Sequence, residues 1–186
     1  MPRIGVIVGS IASASINRTV AQTFPALAPE GTEIVFPDLS QLPMYSADHD
    51  ANYPAAAREW KESIESVDGI IIVTPEYSRS IPGVLKNAMD WAARPWGTNS
   101  FTGKPVAIMG ASIGAIGTAA AQQHLRAILG HYDSITMGQP ETFFHYKAAD
   151  FGANGEILDD SARAVLSGFV NAAAAHVERH APVAVA

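Results

Sequence analysis

Two rhythms of apolar residues alternate along this chain. In one, apolar residues follow each other without a break; in the other they return every three or four positions. "RIGVIVGS" at residues 3–10 is the first unbroken run and reads as a short strand. "NRTVAQTFPAL" at 17–27 has helical spacing, with Pro25 expected to end its regular part because proline has no N–H to continue a helix. "GTEIVFPDL" offers a second strand near 33–36. "PAAAREWKESIESV" at 54–67 is amphipathic, with proline near its start, where a missing N–H is tolerated. "GIIIVT" at 69–74 is a strand without polar alternation, so both its faces are expected to be buried. A helix is expected from about 81 to 93, and a fourth strand at 105–112 in "PVAIMGAS". Residues 117–130 read as a helix stopped by Gly130. "DSITMG" at 133–138 is a candidate fifth strand, and residues 159 to about 180 form a closing helix.

Strands alternating with helices predict an α/β fold, a flavodoxin-like doubly wound five-stranded parallel sheet with helices on both faces. At 186 residues, with no repeat, low-complexity tract or linker, the chain is expected to form one domain, 1–186. In such sheets ligands sit outside the carboxyl ends of the strands, near the point where strand order reverses. The loops after strands one, three and four are therefore the places to look for chemistry.

Composition narrows the classes. Hydrophobic residues make up 48%, which fits a packed soluble protein, and the net charge of −6 offers no basic field for nucleic acid or anionic lipid. No apolar run approaches the ~18 residues of a membrane span. The start, "MPRIGVIVGS", reads as a first strand, with no cleavage-type segment after it. There is no cysteine, which removes disulfides, thiol nucleophiles and Cys-ligated metals. A cytoplasmic location fits, and any redox chemistry would have to be carried by a cofactor.

The first loop, "GSIASASIN" at 9–17, carries hydroxyls at Ser10, Ser13 and Ser15 and an amide at Asn17, directly before a helix. Unpaired N–H groups and short hydroxyls at such a place suit a phosphate; they equally suit plain capping of the helix. The loop has neither GxGxxG nor GxxxxGK[ST], so neither a dinucleotide fingerprint nor a triphosphatase loop is supported. In the second loop, Pro75 ends the central strand because it cannot donate to the ladder. Glu76, Tyr77 and Ser78 then project where a ligand would lie, unless Tyr77 merely packs on its own helix. The third loop, "GASIGAIGTAA" at 110–121, has glycines that permit close backbone approach or simply tight turning. Taken together, three loops on one sheet edge suit a phosphorylated planar ring. His176 and His180, four apart, lack the Glu placement of HExxH and read as a solvated helix end.

"GSxxxxSxN" followed by "TPEYSRSIPGVLKNAMDWAARP" and "GKPVAIMGASIGAIGTAAAQQHLR" closely resembles the NAD(P)H-dependent FMN reductase family, flavodoxin-like bacterial quinone, azo-dye, chromate and ferric reductases. The resemblance implies that Ser10, Ser15 and Asn17, with the backbone at Ile16, bind the FMN phosphate. It implies that Pro75, Glu76, Tyr77 and Ser78 line the isoalloxazine, and that Ser112, Ile113 and Gly114 meet it from the third loop. It further implies bound FMN, NADPH or NADH as electron donor, a small-molecule electron acceptor, and a homodimer or homotetramer with the flavin near the interface. Residues 94–101, with Trp96, are the expected interface loop. The reaction is expected to be hydride transfer to the flavin and onward passage of two electrons; no residue is expected to act as acid, base or nucleophile. Tyr77 and Arg79 are candidates to shape the acceptor pocket.

Two positions depart from the family pattern. Ala12 stands where Arg is common, and Ser78 where Asn is common. Arg18 is nearby but falls within the following helix, where its side chain is expected to point elsewhere. Two alternatives remain open: an FMN electron carrier that does not itself oxidise NAD(P)H, and a flavin-free interaction domain on the same fold. The continuous PEY segment and the modest acidity argue against the carrier.

Overall fold

At the centre of the molecule lies β3 (Gly69–Val73), whose five residues are all buried. Its neighbours are β1 (Arg3–Val8) and β4 (Pro105–Ser112), both paired to it in parallel. β2 (Glu33–Val35) lies outside β1 and β5 (Ile135–Thr136) outside β4, giving the order β2-β1-β3-β4-β5, the doubly wound flavodoxin-like order. The computed structural model describes residues 1–153 and 155–180.

The unbroken apolar strands follow from burial on both faces. Successive side chains point to opposite sides. Ile4, Val6, Ile71, Val73 and Met109 enter one core, with Phe24, Leu166, Phe169 and Val177 from the helices. Ile7, Ile70, Ile72, Val106 and Ile108 enter the other, with Trp60, Leu85, Trp91 and Leu125. The first layer is built by α1 (Ile16–Ala21), α2 (Phe24–Leu27) and, last in the chain, α6 (Asp160–His180). The second is built by α3 (Ala55–Glu65), α4 (Gly83–Ala93) and α5 (Ala119–His131). Gly69 lets α6 settle on β3, since a Cβ there would collide with Val177.

Four local expectations change. The single helix over 17–27 is two: Pro25 cannot follow on in the first, so the chain turns at Gln22–Thr23 and Pro25 sits in the opening turn of α2. Gly130 does not stop its helix. The stop comes at Asp133, which takes a left-handed conformation (φ 57°). The N–H groups of Asp133 and Ser134 then bond the carbonyls of Gly130 and Leu129, a Schellman closure with Asp in the place usually held by glycine.

The fifth position in the sheet is split. β5 (Ile135–Thr136) pairs with the start of β4, and β6 (Thr142–His145) pairs with its end, with Pro140 in the gap. Finally, His176 is not on a solvated helix end. It is 8% exposed, and its Nε2–H donates to the Ile135 carbonyl at 2.7 Å, tying α6 to β5. Among the described residues, no helix is long and apolar enough to cross a membrane.

Candidate functional site

The three loops leave from one levelled edge. The Gly9 N–H donates to the Val73 carbonyl (2.9 Å) and the Thr74 N–H to the Met109 carbonyl (3.0 Å), aligning the carboxyl ends of β1, β3 and β4. Loops two and three touch through backbone: a Cβ on Gly110 would strike Thr118 Oγ1 and the Thr74 carbonyl, so only glycine allows this approach.

Loop one is held by its own serines. Ser15 caps α1, its Oγ accepting from the Arg18 N–H at 3.3 Å, and Ser10 Oγ accepts from the Ala12 N–H at 3.3 Å. Both hydroxyls keep a proton to donate. Ile16 and Asn17 occupy the first turn of α1, where N–H groups have no intrahelical acceptor. The Asn17 side chain is engaged elsewhere. It is 1% exposed; its Nδ2 donates to the Ala111 carbonyl (2.9 Å) and its Oδ1 accepts from the Ala111 N–H (2.8 Å). Both functions of the amide thus strap loop one to β4, leaving the backbone N–H of Asn17 as its available donor. Arg18 does not point elsewhere: its Nη2 turns back and donates to the Ser10 carbonyl at 3.0 Å.

Loop two is a two-residue hairpin. Tyr77 and Ser80 exchange backbone hydrogen bonds of 2.9 and 3.0 Å. Between them Ser78 (φ 51°) and Arg79 (φ 66°) both take left-handed backbone, as a type I′ turn requires. Non-glycine residues pay strain for this conformation, and Asn tolerates it better than Ser. The turn presents the Tyr77 ring to solvent. Glu76 behaves differently: its side chain is 10% exposed, 3.5 Å from Arg79 Nη1, and accepts from the Ala121 N–H in the first turn of α5 (3.1 Å). Beside it, Ser80 Oγ lies 3.0 Å from His124 Nδ1 on α5.

Loop three begins at Ser112, whose Oγ accepts from the Gly114 N–H at 3.0 Å and whose carbonyl accepts from Tyr146 N–H at 2.9 Å. Ile113 and Ile116 then stand exposed. All the sequence-derived site residues therefore fall on this one edge, but they divide. Tyr77, Ser78, Ile113 and Gly114 are exposed, Ser10 and Ser15 are buried but keep a hydroxyl proton to donate, and the Asn17 and Glu76 side chains brace the loops. Ala111 and Ala121, which receive those braces, left no trace in the sequence because they act through backbone atoms alone.

The donor set fits a phosphorylated planar ring. Loop one offers hydroxyls and N–H groups, and Glu76, the one acidic residue in loops 9–17, 74–80 and 110–118, is turned into α5. No carboxylate of these loops opposes an anion at loop one, and Tyr77, Ile113 and Ile116 supply exposed apolar surface. A cavity of about 800 Å³ lies apart from this edge, between α4 and α5 beside Trp96.

Comparison with known proteins agrees with that chemistry. Residues 2–149 match the sequence model of a family described as NADPH-dependent FMN reductase. The chain is 46% identical over 175 residues to a 2-hydroxy-1,4-benzoquinone reductase of a Burkholderia species, covering 94% of this chain and 96% of that protein. It is 42% identical over 161 residues to an NAD(P)H-dependent FMN reductase of Pseudomonas aeruginosa, covering 86% of each. The solved structure of FerB, a flavoenzyme NAD(P)H:(acceptor) oxidoreductase from Paracoccus denitrificans, overlays with a TM-score of 0.93 at 37% identity, covering 98% of this chain and 100% of that one. The family match over residues 2–149 spans all three loops and these relatives are named as reductases, which favours a reductase over a simple electron carrier. The chain belongs to the NADPH-dependent FMN reductase family, with FMN as its cofactor and NAD(P)H as its electron donor.

Proposed function

We propose that this reductase passes its electrons to quinones, and that FMN lies across the three loops with its phosphate at loop one. The observation that carries the acceptor reading is the 46% identity, over nearly the full length of both chains, to a protein named for reducing 2-hydroxy-1,4-benzoquinone. FMN would supply the redox chemistry here, acceptance of hydride from NAD(P)H and delivery of two electrons to the acceptor.

The chain's own work is to bind, orient and exclude water. Ser10 and Ser15 hydroxyls and the N–H groups of Ile16 and Asn17 would hold the phosphate. Pro75, Glu76, Tyr77 and Ser78 would border the ring from loop two, with Glu76 acting through the brace to Ala121. Ser112, Ile113 and Gly114 would border it from loop three. Holding donor and acceptor rings in contact at one face supplies much of the acceleration. Arg79, exposed beside Tyr77, offers a cation to an acceptor that carries a negative charge, as a hydroxyquinone does once its enol ionises. Its pairing with Glu76 is a single contact of 3.5 Å through Nη1, which leaves the exposed guanidinium further N–H groups to share.

The whole chain, 1–186, is read as one FMN-binding unit, working in the cytoplasm where reduced nicotinamide nucleotides are held. We take it to act as a homodimer or homotetramer. That is supported by Trp96, 81% exposed beside the cavity that Arg94, Ile128 and Tyr132 also line.

The test is anaerobic. Purified protein loaded with FMN is mixed with NADPH or NADH, and the flavin absorption is followed before and after adding a hydroxyquinone. Bleaching by the nucleotide and recovery with the quinone are expected. Flavin that stays oxidised with both nucleotides would point to a carrier instead. Substitution Tyr77→Ala should weaken flavin retention, and Arg79→Met should raise KM for the hydroxyquinone more than for an uncharged benzoquinone.

A further inference from the structure

Loop one holds no lysine or arginine between residues 9 and 17, and Ala12 contributes no charge. One cation nevertheless reaches it. Arg18 brackets the loop from both ends: its backbone N–H bonds Ser15 Oγ at 3.3 Å, while its Nη2 bonds the Ser10 carbonyl at 3.0 Å. The two serines read as phosphate contacts are thus tied to a single residue. The guanidinium is half-buried and forms no ion pair among the described residues. It borders a cavity of about 500 Å³ with Ser10, Ile11, Phe36, Asp38 and Ser40. Asp38, on the same cavity, keeps its charge but forms no ion pair with Arg18; its carboxylate oxygens instead accept from the Ser40 N–H and hydroxyl, both at 2.9 Å. A guanidinium bonded only to a neutral carbonyl keeps further N–H groups to give to an anion.

We propose that Arg18 is the phosphate-selecting residue of this site: fixed on the Ser10 carbonyl, it supplies the positive charge by which loop one prefers FMN to riboflavin. The inference rests on the placement of the flavin phosphate at loop one. Chemically it makes Arg18 the replacement for the cation missing at position 12. A guanidinium reaches farther than the serine hydroxyls and carries a full positive charge. It therefore acts on the phosphate by attraction as well as by holding the Ser10 backbone in place.

The test is binding, without turnover. The full chain, stripped of flavin, is titrated with FMN and with riboflavin, following quenching of flavin fluorescence. Variants are Arg18→Met, Arg18→Gln, which keeps a donor for the Ser10 carbonyl without charge, and Arg18→Lys. Loss of one charge-assisted contact should weaken FMN binding roughly ten- to hundredfold in the Met and Gln variants. Riboflavin binding should change by less than about threefold in both, and Lys should recover part of the FMN affinity. Equal losses for both flavins would make Arg18 a mere brace of the loop and overturn the proposal, as would FMN affinity that survives in Arg18→Gln. A wild-type protein that binds riboflavin as tightly as FMN would instead remove the phosphate placement beneath it.

Discussion

Glu76 and Ala121, 45 positions apart, are joined by a hydrogen bond of 3.1 Å from the Ala121 N–H to Glu76 Oε2. The carboxylate caps α5 from a different loop, where an anion also meets the positive end of the helix dipole. The hairpin that presents Tyr77 is therefore anchored to the helix that follows loop three.

Substitution Glu76→Leu removes that cap and leaves the first turn of α5 short of an acceptor. It should destabilise the protein by about 1–2 kcal/mol, and Glu76→Gln by less, because an amide oxygen still accepts. Urea denaturation of the flavin-free protein measures both. Equal stability of wild type and the Leu variant would mean that the brace contributes nothing.

Asn17 offers a sharper case, since it is buried and uses donor and acceptor together on one residue, Ala111. Asn17→Leu leaves a buried N–H and a buried carbonyl unpaired, at a cost of about 2–4 kcal/mol. Asn17→Asp keeps the acceptor but loses the donor and buries a charge, so it should rescue little. Chemical denaturation midpoints rank the three proteins, and an Asp variant as stable as wild type would contradict the two-sided strap.

At Ser78 the change should be favourable. Its left-handed backbone suits Asn or Gly better than Ser, so Ser78→Asn should stabilise the protein by roughly 0.5 kcal/mol, while a β-branched Ser78→Val should destabilise it. Thermal melting distinguishes them, and a Val variant that melts with wild type would argue against the turn.

His176 gives the protein an acid-sensitive limb. Burial holds its imidazole below the ordinary value, helped by the charges of His180 and Arg179 and opposed by the bond to the Ile135 carbonyl. The unfolded chain therefore takes up this proton more readily than the folded one. Its contribution to stability is complete above about pH 6.5 and is lost as pH falls through the lowered folded value. Urea midpoints measured from pH 8 down to 5 should fall less steeply in His176→Gln than in wild type.

The central strands were legible because nothing else competes for a run such as "GIIIV" or "PVAIMGAS" once both faces are covered; the fourth strand matches its expected bounds to the residue. The edge was legible only in part: β5 falls within the expected 133–138, but its bounds and the whole of β6 did not show. β5 is two residues long, too short to show a period, and β6 carries His145 and Phe143 on an open face. Turn chemistry misled at Gly130 because Asp133 does the work expected of glycine. At the site, sequence identified the loops and most outward-facing groups. It could not separate Asn17 and Glu76 from the other polar residues, because a side chain that binds a ligand and one that binds a distant backbone amide have the same letter. Nor could it show that Arg18 curls back along its own helix turn.

The split fifth position also bears on how the molecule keeps to itself. Open strand edges invite pairing between molecules, and long flat edges are templates for aggregates. Here one margin of the sheet offers three residues, Glu33–Val35, and the other only two and four, separated by a segment whose Pro140 has no N–H to give. Among the described residues, a concentrated solution of this chain meets no edge long enough to start a cross-molecular ladder, and association is left to side chains and helices.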